Sequence, residues 1–206
     1  MILLDDLLNS SDFRRSVDGL AKEFRTAFGL PDIHQLGLAV PSVEKASALL
    51  EARGFPPFFI AEGSPILWRE LGRESSFRGK AGFGTYQGFE LELLEPGSGS
   101  NFYHDSLDPD GRIVVQHLGF LVKDTDEWAG RLEKSGHPVR IRGRLRLQPW
   151  RSDFAYMDTQ DAAGVIVEFI SFTIFGRPSS GPPPGLFRLL GRLEKWSGKR
   201  SISVPS

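Results

Sequence analysis

Hydrophobic positions along the chain fall into two periods. From Asp12 to Phe28, Phe13, Val17, Leu20, Phe24 and Phe28 recur at helical spacing, which predicts an N-terminal helix. Near the other end Leu186, Leu189, Leu190, Leu193 and Trp196 make one stripe, which predicts an amphipathic helix after the stiff stretch SSGPPPG at 179–185. Between them the pattern is that of strands with two intervening helices. Runs at 33–40 and 113–122 each lead into a helical segment, about 42–53 and 124–135. Asp124 is placed to cap the second helix, and Gly54 and Gly136 to end the two. Three strands follow each helix, at 57–61, 81–86 and 88–95 and at 138–147, 153–158 and 164–171, while the Gly/Ser-rich segments 72–80 and 97–101 read as loops.

The two halves are copies. QLGLAVPSVEKASALLEARGFP (35–56) aligns without a gap on HLGFLVKDTDEWAGRLEKSGHP (117–138), with seven of 22 positions identical. GFELELL (88–94) then matches GVIVEFI (164–170), pairing Gly88 with Gly164 and Glu92 with Glu168. The repeated unit is βαβββ, used twice in tandem, so the expected fold class is α+β. This divides the chain into a helical N-terminal extension (1–31), a first module (32–96), a connector (97–112), a second module (113–172) and a linker with C-terminal helix (173–206). The extensions are expected to pad the domain or a dimer interface.

The repeat also isolates four polar residues inside apolar strands. Side chains alternate along a strand, so Gln35 shares a face with Gly37, and His117 with Gly119. A glycine on the same face clears volume beside each. Glu168 lies in GVIVEFI, and Glu92 at the matching place, accompanied by Glu90. A carboxylate in so apolar a strand has to be neutral, paired or metal-bound. One divalent ion would satisfy both carboxylates and use His117 and Gln35 as neutral donors. Oxygen-rich ligation with one imidazole suits Zn, Ni, Co, Mn or Fe(II) better than Ca or Mg. His34 competes with Gln35 for this role, but the ungapped repeat sets Gln35 opposite His117. Gln116 is expected on the opposite face.

Composition narrows the picture. The 206 residues carry a formal net charge of −1, which gives no field toward nucleic acid or an anionic membrane. The absence of cysteine removes disulfides and thiolate metal sites. The start, MILLDDLLNSSDF, lacks a basic leader, and no apolar run approaches a membrane span, so a cytoplasmic location is expected.

Taken together, HQLGLAV, ELELLEP, QHLGFLV and GVIVEFI resemble the vicinal oxygen chelate superfamily over about residues 32–171. This superfamily includes glyoxalases, methylmalonyl-CoA epimerases, extradiol dioxygenases and bleomycin resistance proteins. ELELLEP and QHLGFLV look most like the epimerase branch, and the order Gln, Glu, His, Glu is similar to the ligand set of glyoxalase I. The resemblance implies that the two modules form a curled mixed sheet around a metal or ligand cavity, with metal ligands Gln35, Glu92, His117 and Glu168. It further implies a small carbonyl or acyl-thioester substrate and an isomerase or lyase reaction that starts with proton abstraction beside a carbonyl. Glu168, or else Glu92, is the expected base, with Glu62 and Glu90 as further carboxylates. Two other readings of the fold stand beside it: a non-catalytic binding protein, and a ring-cleaving dioxygenase, from which Gln35 departs by replacing a histidine. A homodimer is the expected assembly.

Four further residues are candidate substrate contacts. Arg142 and Arg144 belong to VRIRGRLRL (139–147), whose arginines alternate on one face, as an anion site or a charged edge would require. Trp150 and Tyr156 flank the same region and could cover an organic ligand. Tyr103 and His104 read as an exposed turn or helix in the connector.

Overall fold

The computed structural model describes residues 1–147, 149–183, 185–199 and 202–203; Pro184 of the SSGPPPG stretch and the end of the C-terminal segment lie outside the described residues. The first half contains β1 (Gln35–Ala39), α4 (Val43–Ala52), β2 (Phe59–Gly63), β5 (Gly79–Tyr86) and β6 (Phe89–Leu94), preceded by helices α1 (Leu4–Leu8), α2 (Phe13–Asp18) and α3 (Lys22–Phe28). The second half repeats the order as β7 (Val114–Leu121), α5 (Thr125–Glu133), β8 (Val139–Leu147), β9 (Trp150–Met157) and β10 (Ile166–Ile174), with a short α6 (Gln160–Ala163) before the last strand. Asp124 caps α5 by accepting from the Asp126 and Glu127 amides. Gly54 and Gly136 take φ of 91° and 90° just past the two helices, a conformation with no Cβ penalty for glycine.

Hydrogen bonding joins the strands into one sheet, in which β2-β5-β6-β1 and β7-β10-β9-β8 meet along an antiparallel β1–β7 seam. β1 runs parallel to β6 and β7 parallel to β10, so each half brackets its first strand with its last. This is the architecture that the resemblance implies. The core packs Leu36, Leu38, Leu91, Leu118, Val167 and Phe169 on the convex face beneath the helices. The concave face is left for a cavity.

Several elements depart from expectation. Residues 72–80 are not all loop: β3 (Leu67–Glu70) and β4 (Arg73–Glu74) form a hairpin between β2 and β5. β3 pairs with β8, carrying a segment of the first half onto the far edge of the second. The sheet curls until its two ends are linked through residues 64–66. The N-terminal stripe is split between α2 and α3, because Ala21 adopts a left-handed conformation, φ 50°, after Gly19. A short β11 (Arg177–Ser179) folds back on β10.

At the C-terminus, α7 (Leu186–Ser197) lies over β2 and β5, and β12 (Ile202–Ser203) pairs with β2. The predicted stripe is not its buried face: Leu189, Leu193 and Trp196 are 54, 50 and 87 % exposed. Gly191 and Glu194 face inward instead. A Cβ on Gly191 would stand 2.8 Å from the Phe58 carbonyl oxygen, and the Glu194 carboxylate accepts from the Ile60 amide at 2.8 Å. Backbone contact at β2, together with Phe187 and Leu190 packing on Phe59, Ala61 and Phe83, sets the roll of the helix.

Candidate metal centre

The β1–β7 seam explains how two strands carry polar residues at their centre. Gln35 lies opposite Gly119, and Gly37 opposite His117. A Cβ on Gly37 would fall 1.7 Å from His117 Cε1, and one on Gly119 2.9 Å from Gln35 Oε1. Each glycine therefore makes room for the polar residue of the other half. From the outer strands, Glu92 on β6 and Glu168 on β10 reach the same point. Carboxylate oxygens of both and a ring nitrogen of His117 lie within 4.8 Å of one another. His117 Nε2 is 3.1 Å from Glu168 Oε2 and 3.6 Å from Glu92 Oε2.

All four side chains are buried, with His117 at 0 % exposure. Gln35 Oε1 has no hydrogen-bond partner, and His117 Nε2 and Glu168 Oε2 face each other at 3.1 Å. Such groups are costly in an interior unless something binds them. An imidazole nitrogen, an amide oxygen and two carboxylates form a donor set that could hold a divalent ion. His34 does not join the cluster. Its side chain lines the cavity nearby, and burial holds its imidazole below the usual range.

Charge in the site is strongly coupled. Burial alone would depress the His117 imidazole, but Glu168 and then Glu92 outweigh it and raise the pKa to about 9. Burial, with the negative charge of Glu92, pushes the Glu168 carboxyl up against the opposing pull of His117. Glu90 accepts from Gln35 Nε2 at 2.7 Å, which turns the Gln35 amide oxygen the other way. Burial and Glu92 raise Glu90 to about 7.

Above these groups is a cavity of about 120 Å³, walled by Trp68, Phe77, Phe83 and Phe154. Tyr156 lines it, its ring edge-on to His117 at 4.9 Å between centroids. Tyr103 is not the exposed turn residue it resembled in sequence. It is buried, lines the cavity and shares a hydrogen bond with Tyr156, Oη to Oη 3.1 Å.

The other sequence candidates lie elsewhere. Ile141, Gly143 and Leu145 take the inner face of β8, where Gly143 receives the Phe154 ring. Arg142 and Arg144 point outward, paired with Asp126 of α5 and with Asp153. Arg146, further along the strand, reaches the cavity lining. Trp150 pairs across the sheet with Ile174 and does not line the cavity. Glu62 lines the cavity but is held by Arg78 at 3.0 Å.

Two contributors have only weak sequence signals. Phe187 of α7 stacks on Phe83, centroids 4.9 Å apart, and lines the cavity, so the C-terminal extension builds part of the wall. Gln116 is not on the opposite face. The seam carries a β-bulge in which Gly37 faces His117 and the next residue, Leu38, faces Val115, leaving Gln116 without an opposite residue. Its Oε1 lies 2.6 Å from His117 Nδ1. The signal was the Gln-His pair itself.

Fold and site together define a paired-βαβββ protein with a buried imidazole–carboxylate centre under an aromatic-walled cavity. Among solved structures, the chain is similar to a variant of Streptomyces coelicolor methylmalonyl-CoA epimerase in complex with 2-nitronate-propionyl-CoA. That match has 21% identity, a TM-score of 0.45, and covers 68% of this chain and 96% of that one. Methylmalonyl-CoA epimerase from Mycobacterium tuberculosis matches at 20% identity and TM-score 0.43, over 70% of this chain and 93% of that one. A 4-hydroxymandelate synthase variant from Streptomyces coelicolor matches at 16% and 0.48, over 83% and 56%. No family model matches the sequence, and no curated protein matches it. No helix among the described residues is long and apolar enough to cross a membrane.

Proposed function

We propose that this chain is a metal-dependent isomerase or lyase of the glyoxalase/epimerase kind, moving a proton beside the carbonyl of a small carbonyl compound or acyl thioester. The observation that carries the reading is the buried cluster of His117, Glu168 and Glu92, whose ligand atoms lie within 4.8 Å of one another, with Gln35 lining the cavity beside the two carboxylates. These four residues would hold the ion, with Zn, Ni, Co, Mn or Fe(II) as the fitting metals. When bound, a divalent ion supplies Lewis-acid stabilisation of charge developing on a substrate oxygen.

The rest is the work of the chain's own groups. The aromatic walls exclude water, which strengthens every charge interaction on the floor. Glu168 takes the proton: burial favours its uptake and the cavity faces it. Glu90 lines the same cavity and is the second carboxylate for a reaction that returns the proton from another direction.

The test is metal content together with exchange. Protein purified under metal-replete conditions is expected to carry about one equivalent of transition metal per site, and Glu168→Gln to lose most of it. Deuterium exchange at the carbon beside a substrate carbonyl should fall by roughly two to four orders of magnitude in that variant. Metal-free native protein that still binds small carbonyl compounds would instead indicate sequestration without catalysis.

A further inference from the structure

We infer that Gln116 is a positioning residue for His117: its amide oxygen accepts the Nδ1 proton and thereby turns Nε2 toward the two carboxylates as the nitrogen that an ion would take. The inference rests on the metal-centre reading above and goes beyond the ligands to what orients them. Three observations carry it.

The first is the bulge. An unbulged β7 would place residues 116 and 117 on opposite faces. With Gln116 as the extra residue, the strand re-aims that side chain toward its neighbour's ring. Bulges interrupt a ladder, so one at the centre of a fully buried strand needs a local return, and here that return is the 2.6 Å contact.

The second is satisfaction. Gln116 and His117 are 3 and 0 % exposed, so water does not serve either group. The imidazole has Nδ1 against Gln116 at 2.6 Å and Nε2 against Glu168 and Glu92 at 3.1 and 3.6 Å. An imidazole that donates from Nδ1 keeps its Nε2 lone pair for a ligand. The reverse arrangement, with the Gln116 amide donating to Nδ1, would direct an Nε2 proton at the carboxylates and leave no lone pair for an ion.

The third is the parallel in the other half. Gln35, opposite in the repeat, is also held from one side: Glu90 takes its amide Nε2 and leaves Oε1 unpartnered toward the centre. The two halves reach the same result with different partners, Glu90 from the neighbouring strand and Gln116 from the preceding residue. At offset 82 the matching sequence pairs are His34-Gln35 and Gln116-His117, so Gln116 has no counterpart amide in the first half.

The experiment compares the full chain with Gln116→Leu and Gln116→Glu, using Zn(II) alone in a chelator competition, together with ¹⁵N shifts of the His117 ring in metal-free protein well above pH 9. Gln116→Leu should weaken Zn(II) binding roughly ten- to a hundredfold, whereas Gln116→Glu, which keeps the acceptor, should stay within about threefold or bind tighter. The ring of the parent should carry its proton on Nδ1, and that preference should be lost in Gln116→Leu. A folded Gln116→Leu protein that binds Zn(II) within about threefold of the parent would overturn the inference. So would a parent ring protonated on Nε2. If the parent binds no Zn(II), the metal-centre reading fails, and the ring tautomer in the metal-free protein still decides the role of Gln116.

Discussion

Alanine in place of Gly37 is expected to cost the protein about 3 kcal/mol of stability and its Zn(II) binding at once. The new Cβ would lie 1.7 Å from Cε1 and 2.0 Å from Nδ1 of the His117 ring. His117 cannot retreat: Gln116 holds one side of the ring, Glu168 stands on the other, and Tyr156 meets it edge-on. Either the imidazole leaves the centre or the β1–β7 seam opens. Gly119→Ala should be milder, because its Cβ would stand 2.9 Å from Gln35 Cβ and Oε1, a much smaller overlap than the 1.7 Å met at Gly37. Gly130→Ala, in α5 with nothing within 4 Å, is the control and should be neutral or stabilise by about 0.5–1 kcal/mol. Urea unfolding and a Zn(II) titration on the three variants would read the order. Full Zn(II) affinity in Gly37→Ala would show that the ring does not sit where this packing puts it.

That reciprocal glycine arrangement was half visible in the sequence. The repeat matched Gln35 with His117 and Glu92 with Glu168 by position in the sequence, at offsets of 82 and 76, which do not depend on how the strands pair in space. It attached each glycine to its own polar neighbour, however, since alternation within a strand says nothing about register across a seam. Gln116 was missed for a related reason. Period-two alternation assumes an unbroken strand, and a bulge reverses the parity of one residue. The arginines at 142 and 144 do share a face, but which face is inner follows from Ile141, Gly143 and Leu145 packing beneath Phe154 and Tyr156, a tertiary choice. The β3–β4 hairpin and Phe187 were invisible to the pattern because each is short and serves the cavity only after the sheet has curled. Tyr103 belongs with them: its burial depends on Tyr156, 53 residues away.

Raising the pH is expected to destabilise the metal-free protein, against the trend of proteins whose carboxylates are salt-bridged. Glu90 titrates at about 7 in the folded chain against an ordinary value of 4.5, and His117 at about 9 against 6.5. In both cases the folded state holds a proton that the unfolded chain has released. Stability from Glu90 is therefore intact below pH 4.5 and lost as the pH rises through 7, and that from His117 is intact below 6.5 and lost through 9. Each is worth on the order of 3 kcal/mol, from about 1.4 kcal/mol per pH unit of separation. Glu168, also raised by burial, acts in the same direction. Chemical denaturation in the presence of a chelator at pH 5, 7 and 9 should show a steady fall, with Glu90→Gln flattening its lower half. Zn(II) should reverse the trend, because the ion takes the place of the protons that hold the cluster together. Its binding competes with protonation of His117, so apparent affinity should climb about tenfold per pH unit until it levels near pH 9. Metal-free stability that is flat or rises over this range would mean that Glu92, His117 and Glu168 do not share a buried centre, since only their mutual field keeps a proton on a wholly buried imidazole.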